Sequence, residues 1–159
     1  MLATDLDGTL VGDKSSLKKL LDFYESRSYE VSLIYITGRH YQSALSLIKE
    51  ENLPVPHVLI TDVGTGIYIG NPLELDLEWK SHQEQSWMPE KIEAIAREVA
   101  GLVSQDLPIT NRCSYFVSDS TVVETFRSEL EKAGIPFKLI FSGGRDVDIL
   151  PPESGKGQT

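Results

Sequence analysis

Asp5-Leu6-Asp7-Gly8-Thr9 constrains this chain more than any other stretch, because it sets two carboxylates one residue apart directly after the short apolar opening Met1-Leu2-Ala3. Residues i and i+2 of a strand point to the same side, so both acids face one small site where the strand ends. Like charges this close repel, and a hard cation such as Mg2+, or a proton on one of them, relieves the repulsion. Gly8 permits a sharp turn, and Thr9 offers a hydroxyl and an amide to an anion. One acid is then a candidate nucleophile that takes a phosphoryl group as an aspartyl-phosphate, and the other a candidate for moving protons. The plainer alternative is a solvated Asx turn at the end of a strand.

The 159 residues, 40% apolar and 25% charged, are enough for a real core in one or two small domains. A formal net charge of -9 with no Lys/Arg-rich run argues against nucleic acid and anionic membrane as partners, leaving a small ligand. The lone Cys113 cannot form an internal disulfide, and the first residues lack a charged and apolar leader pattern, so a cytoplasmic location is expected. No apolar run approaches the roughly 18 residues of a membrane span.

Helical spacing of Leu17, Leu20, Leu21 and Tyr24 follows the acidic turn, with Ser15 or Ser16 available as the cap. Val31 to Ile36 is a nearly continuous apolar run, the pattern of a strand buried on both faces, and Thr37-Gly38-Arg39 sits at its carboxyl end. Thr37 is either an N-cap for the helix carrying Tyr41, Ala44, Leu45 and Ile48 or a hydroxyl donor to a ligand. Val58 to Thr61 completes a second strand-helix-strand unit. Glycines from Gly64 to Gly70 mark a hairpin or short strand leaving the sheet, and residues 72–88 read as a polar connection anchored by Trp79 and Trp87. Beyond it, helices starting at Pro89 and around Val122 alternate with strands at residues 113–117, 137–141 and 146–150, the last two joined as a hairpin by Gly143-Gly144. The expected fold class is α/β: a parallel-sheet core over residues 1–63, an α+β cap over 64–150 and a return to the core over 151–159.

Asp5-Leu6-Asp7-Gly8-Thr9-Leu10 resembles the first motif of the haloacid dehalogenase superfamily of phosphohydrolases, and Ile36-Thr37-Gly38-Arg39 its second. Together with Val63-Gly64-Thr65-Gly66-Ile67-Tyr68 and the run Phe141 to Pro151, these stretches resemble the sucrose-phosphate phosphatases of that superfamily over nearly the whole chain. The resemblance implies Asp5 as nucleophile, Asp7 as general acid/base, both serving Mg2+, and Thr37, Gly38 and Lys156 as phosphate-binding residues. It implies a cap that reads the sugar through Asp146 or Asp148, which pattern alone does not separate, with Arg39 and Arg112 as further substrate contacts. Sucrose 6-phosphate is the implied substrate and a sucrose-phosphate synthase a possible partner or fusion.

Gly66 departs from the acid that this family tends to carry there, which opens the substrate to related sugar phosphates such as mannosylfructose phosphate or phosphoglycerate-linked sugars. The chain stops three residues after Lys156, before the acidic cluster with which the family completes its Mg2+ site. As part of a longer protein, this stretch alone is expected to bind Mg2+ poorly, turn over little and leave its first strand an open edge. Two rivals remain: a non-catalytic domain of the same fold that binds a sugar phosphate or a partner enzyme, and a phospho-accepting receiver domain, which would carry its acceptor on the third strand and no lid.

Overall fold

The computed structural model describes residues 1–26 and 31–157, so the last two residues of the expected return to the core lie outside the described residues. Three short apolar runs form parallel strands: β1 (Leu2–Asp5), β2 (Leu33–Ile36) and β3 (Val58–Thr61). The register sets Asp5 opposite Ile36, and Ile36 opposite Ile60, so Asp5, Thr37 and Asp62 leave the sheet at one end. Helices α1 (Lys14–Glu25) and α2 (Tyr41–Glu50) lay Leu17, Ala44, Leu47 and Ile48 into one core with Leu33, Tyr35 and Leu59.

The caps differ from expectation. Neither Ser15 nor Ser16 caps α1; Asp13 does, its carboxylate accepting both serine amides at 2.9 and 3.3 Å. His40, not Thr37, caps α2 by accepting the Ser43 amide, which leaves the Thr37 hydroxyl for other work. The glycine-rich segment also stays on the sheet. β4 (Gly66–Ile69) pairs antiparallel with β3, Ile67 opposite Ile60 and Ile69 opposite Val58, and β5 (Glu74–Leu75) adds to it, giving the order β1-β2-β3-β4-β5. β-Branched residues alternating on the pleat outweigh the flanking glycines. Within the expected polar connection lies helix α3 (Leu77–Glu84), capped by Asp76 on the Trp79 amide at 2.9 Å. Its polar composition hides the helical period.

The second sheet is antiparallel, in the order β6-β7-β9-β8. Its strands are β6 (Leu102–Ser104), β7 (Cys113–Val117), β8 (Lys138–Ser142) and β9 (Asp146–Leu150), and the hairpin between the last two is as expected. The three-residue β6 is too short for periodicity to announce. Helices α4 (Pro89–Glu98) and α5 (Ser120–Lys132) cover one face with Ile92, Phe126 and Leu130 against Tyr115, Val147 and Ile149. Period-two alternation then decides the rest: with Val147 and Ile149 fully buried, Asp146 and Asp148 stand on the opposite face, beside Ser114 and Ile140. That polar face looks across a shared cavity onto Gly38 and Val63, just beyond the carboxyl ends of β2 and β3, and onto Lys156.

Candidate active site

Asp5 ends β1, and the chain then closes a tight loop in which the Gly8 amide donates to the Val11 carbonyl at 3.2 Å and the Val11 amide to the Leu6 carbonyl at 2.8 Å. Gly8 takes φ +70, and Leu6 and Leu10 pin the loop into the core. Lys156 arrives from 151 residues away to place its ammonium 2.9 Å from the Asp5 carboxylate. The turn that carries it is held by Ser154, fully buried, whose hydroxyl donates to the Pro151 carbonyl at 2.6 Å. Thr37 is also fully buried, its hydroxyl 3.5 Å from Asp7 and accepting the Arg39 amide at 3.1 Å.

Arg39 forks onto the Asp7 carboxylate. Its Nε lies 2.8 Å from Oδ2 and its Nη2 2.7 Å from Oδ1, while Nη1 donates to Ser43 at 3.1 Å. The fork, partly opposed by burial, holds the Asp7 carboxyl below its usual range, and the same pairing raises Arg39.

The facing wall comes from the second sheet. A cavity of about 590 Å3 is lined by Gly38, Val63 and Lys156 on one side and by Gln105, Arg112, Lys138, Asp146 and Asp148 on the other. Both acids of β9 therefore line it. Asp148 accepts the Ser114 hydroxyl at 2.6 Å and faces Arg112 Nη1 at 3.5 Å, whereas Asp146 faces Gln105 Nε2 at 3.3 Å. Arg112 also reaches Asp62, just after β3, at 3.8 Å. Asp62 is buried, its carboxyl pushed up by desolvation against the pull of Arg112, and it stands with Val63 at positive φ, 52° and 60°, a conformation that non-glycine residues rarely hold. Asp62, Ser43, Gln105 and Lys138 were not anticipated from the sequence. For Lys138 the alternation with Ile140 opposite Asp148 carried the signal; nothing local marked Asp62.

Oxygen-only donors suit a hard cation, and Mg2+ is commonly held by one or two carboxylates with substrate phosphate and waters. Asp5 and Asp7 fit that chemistry, although among the described residues no group of three or more His, Cys, Asp or Glu gathers at one point. No helix among them is long and apolar enough to cross a membrane.

A parallel sheet with acids at its carboxyl end, and an α+β layer inserted before the returning lysine, defines a haloacid dehalogenase-like fold. A haloacid dehalogenase-like hydrolase from Bacteroides thetaiotaomicron superposes with a TM-score of 0.66 at 16% identity, over 97% of this chain and 71% of that one. The chain belongs to the sucrose-6F-phosphate phosphohydrolase family, whose model matches residues 1–159. It is 29% identical to the mannosylfructose-phosphate phosphatase of Agrobacterium fabrum over 99% of its length, and 32% identical to the glucosylglycerol-phosphate synthase of Pseudomonas anguilliseptica over all of it. The sucrose-phosphatase of Synechocystis, solved with sucrose and phosphate, superposes with a TM-score of 0.90 at 35% identity over 98% of this chain. The chain spans 66%, 21% and 65% of those last three proteins respectively.

Proposed function

We propose that this chain forms the catalytic core and cap of a Mg2+-dependent phosphomonoester hydrolase acting on a sugar phosphate, sucrose 6-phosphate foremost, in the cytoplasm. The observation that carries the reading is the Lys156–Asp5 contact at 2.9 Å, at the mouth of a cavity whose far wall bears Arg112, Asp146 and Asp148. An anion-binding cation beside a carboxylate nucleophile, opposite a surface rich in hydroxyl-binding groups, suits a phosphate ester of a sugar.

An arriving phosphate dianion competes with Asp5 for Lys156 and with Asp7 for Arg39, while the buried Thr37 hydroxyl and the Gly38 amide steady its oxygens. Asp5 attacks phosphorus, the bond to the sugar oxygen breaks, and the Asp7 carboxyl gives that oxygen its proton. For this Asp7 must be protonated, which the Arg39 fork opposes; drawing Arg39 onto the phosphate releases it. Water then passes a proton to Asp7 and attacks the aspartyl-phosphate, freeing Asp5 and phosphate. The Asp5 carboxylate and the Asp7 backbone carbonyl would hold Mg2+, which when bound offsets the charge of a carboxylate meeting a dianion.

The similarity to a mannosylfructose-phosphate phosphatase supports that ester as the second candidate substrate. Full-length alignment of this chain within a synthase supports a sugar-phosphate synthase as partner or fused neighbour.

The test is release of phosphate from sucrose 6-phosphate by the Asp5→Asn variant against its parent. Turnover is expected to fall roughly 10³-fold or more with the circular dichroism spectrum unchanged. Turnover near the parent's would remove Asp5 from the nucleophile's role.

A further inference from the structure

A second cavity, also of about 590 Å3, is bordered by Asp62 and shares no lining residue with the first, and the phosphoryl transfer uses none of it. Its walls come from both sheets: the start of α2, β4 and α3 on one side, and Trp87, Pro89 and the 108–111 loop on the other. The size falls within the roughly 300–1,000 Å3 typical of small-molecule sites.

The chemistry of the walls narrows the occupant. Trp87, Tyr68, Pro89, Pro108 and Pro151 present flat apolar surface. Trp87 has already committed its indole N–H to the Thr110 carbonyl at 2.8 Å, so only its ring is on offer. Among the described residues, the buried side-chain polar atoms of these walls with neither a hydrogen bond nor an ion pair are oxygens, Gln83 Oε1 and Asn111 Oδ1. Gln83 is 5% exposed, and leaving such an acceptor unmatched is costly. Two such acceptors, one on α3 and one on the 108–111 loop, call for a ligand with several hydrogen-bond donors. Charge is already matched locally, Lys80 with Glu84 at 3.6 Å and Asp62 with Arg112 at 3.8 Å, so a charged ligand would meet no unpaired partner.

We propose that this cavity is a second binding site, for a neutral polyhydroxylated ligand of mono- or disaccharide size, with Trp87 as the stacking face and Gln83 and Asn111 as hydroxyl acceptors. Because Asp62 borders this cavity and its partner Arg112 lines the other, a ligand here acts on the junction between the two layers, and occupancy of either site alters affinity at the other.

The probe is sucrose, titrated into the nitrogen-15-labelled protein while the Trp87 indole and Gly66 amide resonances are followed. A saturable shift of both is expected, present also in Asp146→Ala, which changes the catalytic cavity at a side chain facing Gln105 rather than Arg112. Gln83→Met, close in size but without the amide, is expected to weaken that binding about tenfold, the loss of one hydrogen bond. Trp87→Phe, read on Gly66, keeps a stacking face and retains binding, which guards against a folding defect in the glutamine variant. Absence of a saturable shift overturns the proposal, and so does a shift that disappears in Asp146→Ala while surviving Gln83→Met.

Discussion

Arg39 and Asp7 show how one side chain sets another's chemistry. The forked contact keeps Asp7 ionised, a state suited to taking a proton from water and unsuited to giving one to a leaving sugar. Arg39→Gln is expected to move the Asp7 carboxyl back up toward the ordinary aspartate range, as read from its carboxyl carbon resonance against pH; an unchanged titration would mean that Arg39 is not the cause. The sign for stability follows from the depressed folded value: the pair stabilises the fold above the ordinary aspartate pKa, and the gain is lost as pH falls through Asp7's lowered one. With Arg39 and Asp7 side chains 37% and 49% exposed, solvent limits that gain to under about 1 kcal/mol. Among individual residues, Asp5, Asp7 and Thr37 were legible because each stands at or just beyond a strand end in a short, chemically unusual string, and Lys156 because of the motif frame alone. The grip of Arg39 on Asp7 was not legible. It depends on where β2 lies beside β1, a distance of 32 residues along the chain.

At the scale of elements, the turn between β3 and β4 packs backbone to backbone against the segment that returns from the second layer. A Cβ on Gly64 would lie 2.7 to 3.0 Å from backbone atoms of Gly155, and Gly64 takes φ +99. Gly134 has φ +64 and open space around it, so it isolates conformational strain from collision. Gly64→Ala is therefore expected to lower the urea unfolding free energy by at least about 2 kcal/mol more than Gly134→Ala. Equal losses would show that the β3–β4 turn and the returning segment are not pressed together. The helices with apolar stripes, α1, α2, α4 and α5, were readable because 3.6-residue periodicity survives any context, and so was the β8–β9 hairpin with its paired glycines. α3 was not, since it gains its order from Asp76 and tertiary contact rather than from a stripe. β4 was misjudged because glycine content argued for departure while the decisive contacts, Ile67 on Ile60 and Ile69 on Val58, lie across strands.

In the whole molecule, the link from first layer to second runs through Arg112, which is 9% exposed and set between Asp62 and Asp148. Removing one member of a buried ion pair strands the other, at a cost of about 3 kcal/mol. Asp62→Asn and Arg112→Met should each destabilise strongly, and the double variant should lose at least about 1 kcal/mol less than their sum in a denaturation cycle. Strict additivity would mean that the two layers are not coupled there. In the proposed reaction these layers together present a phosphate ester to Asp5. Its most direct measurement is acid quenching of the protein during reaction with sucrose 6-phosphate and Mg2+, followed by mass analysis of its peptides. A phosphoryl group on the peptide bearing Asp5 is expected, absent in Asp5→Asn. A phosphoryl group on any other residue, or undiminished phosphate release by Asp5→Asn, would contradict it.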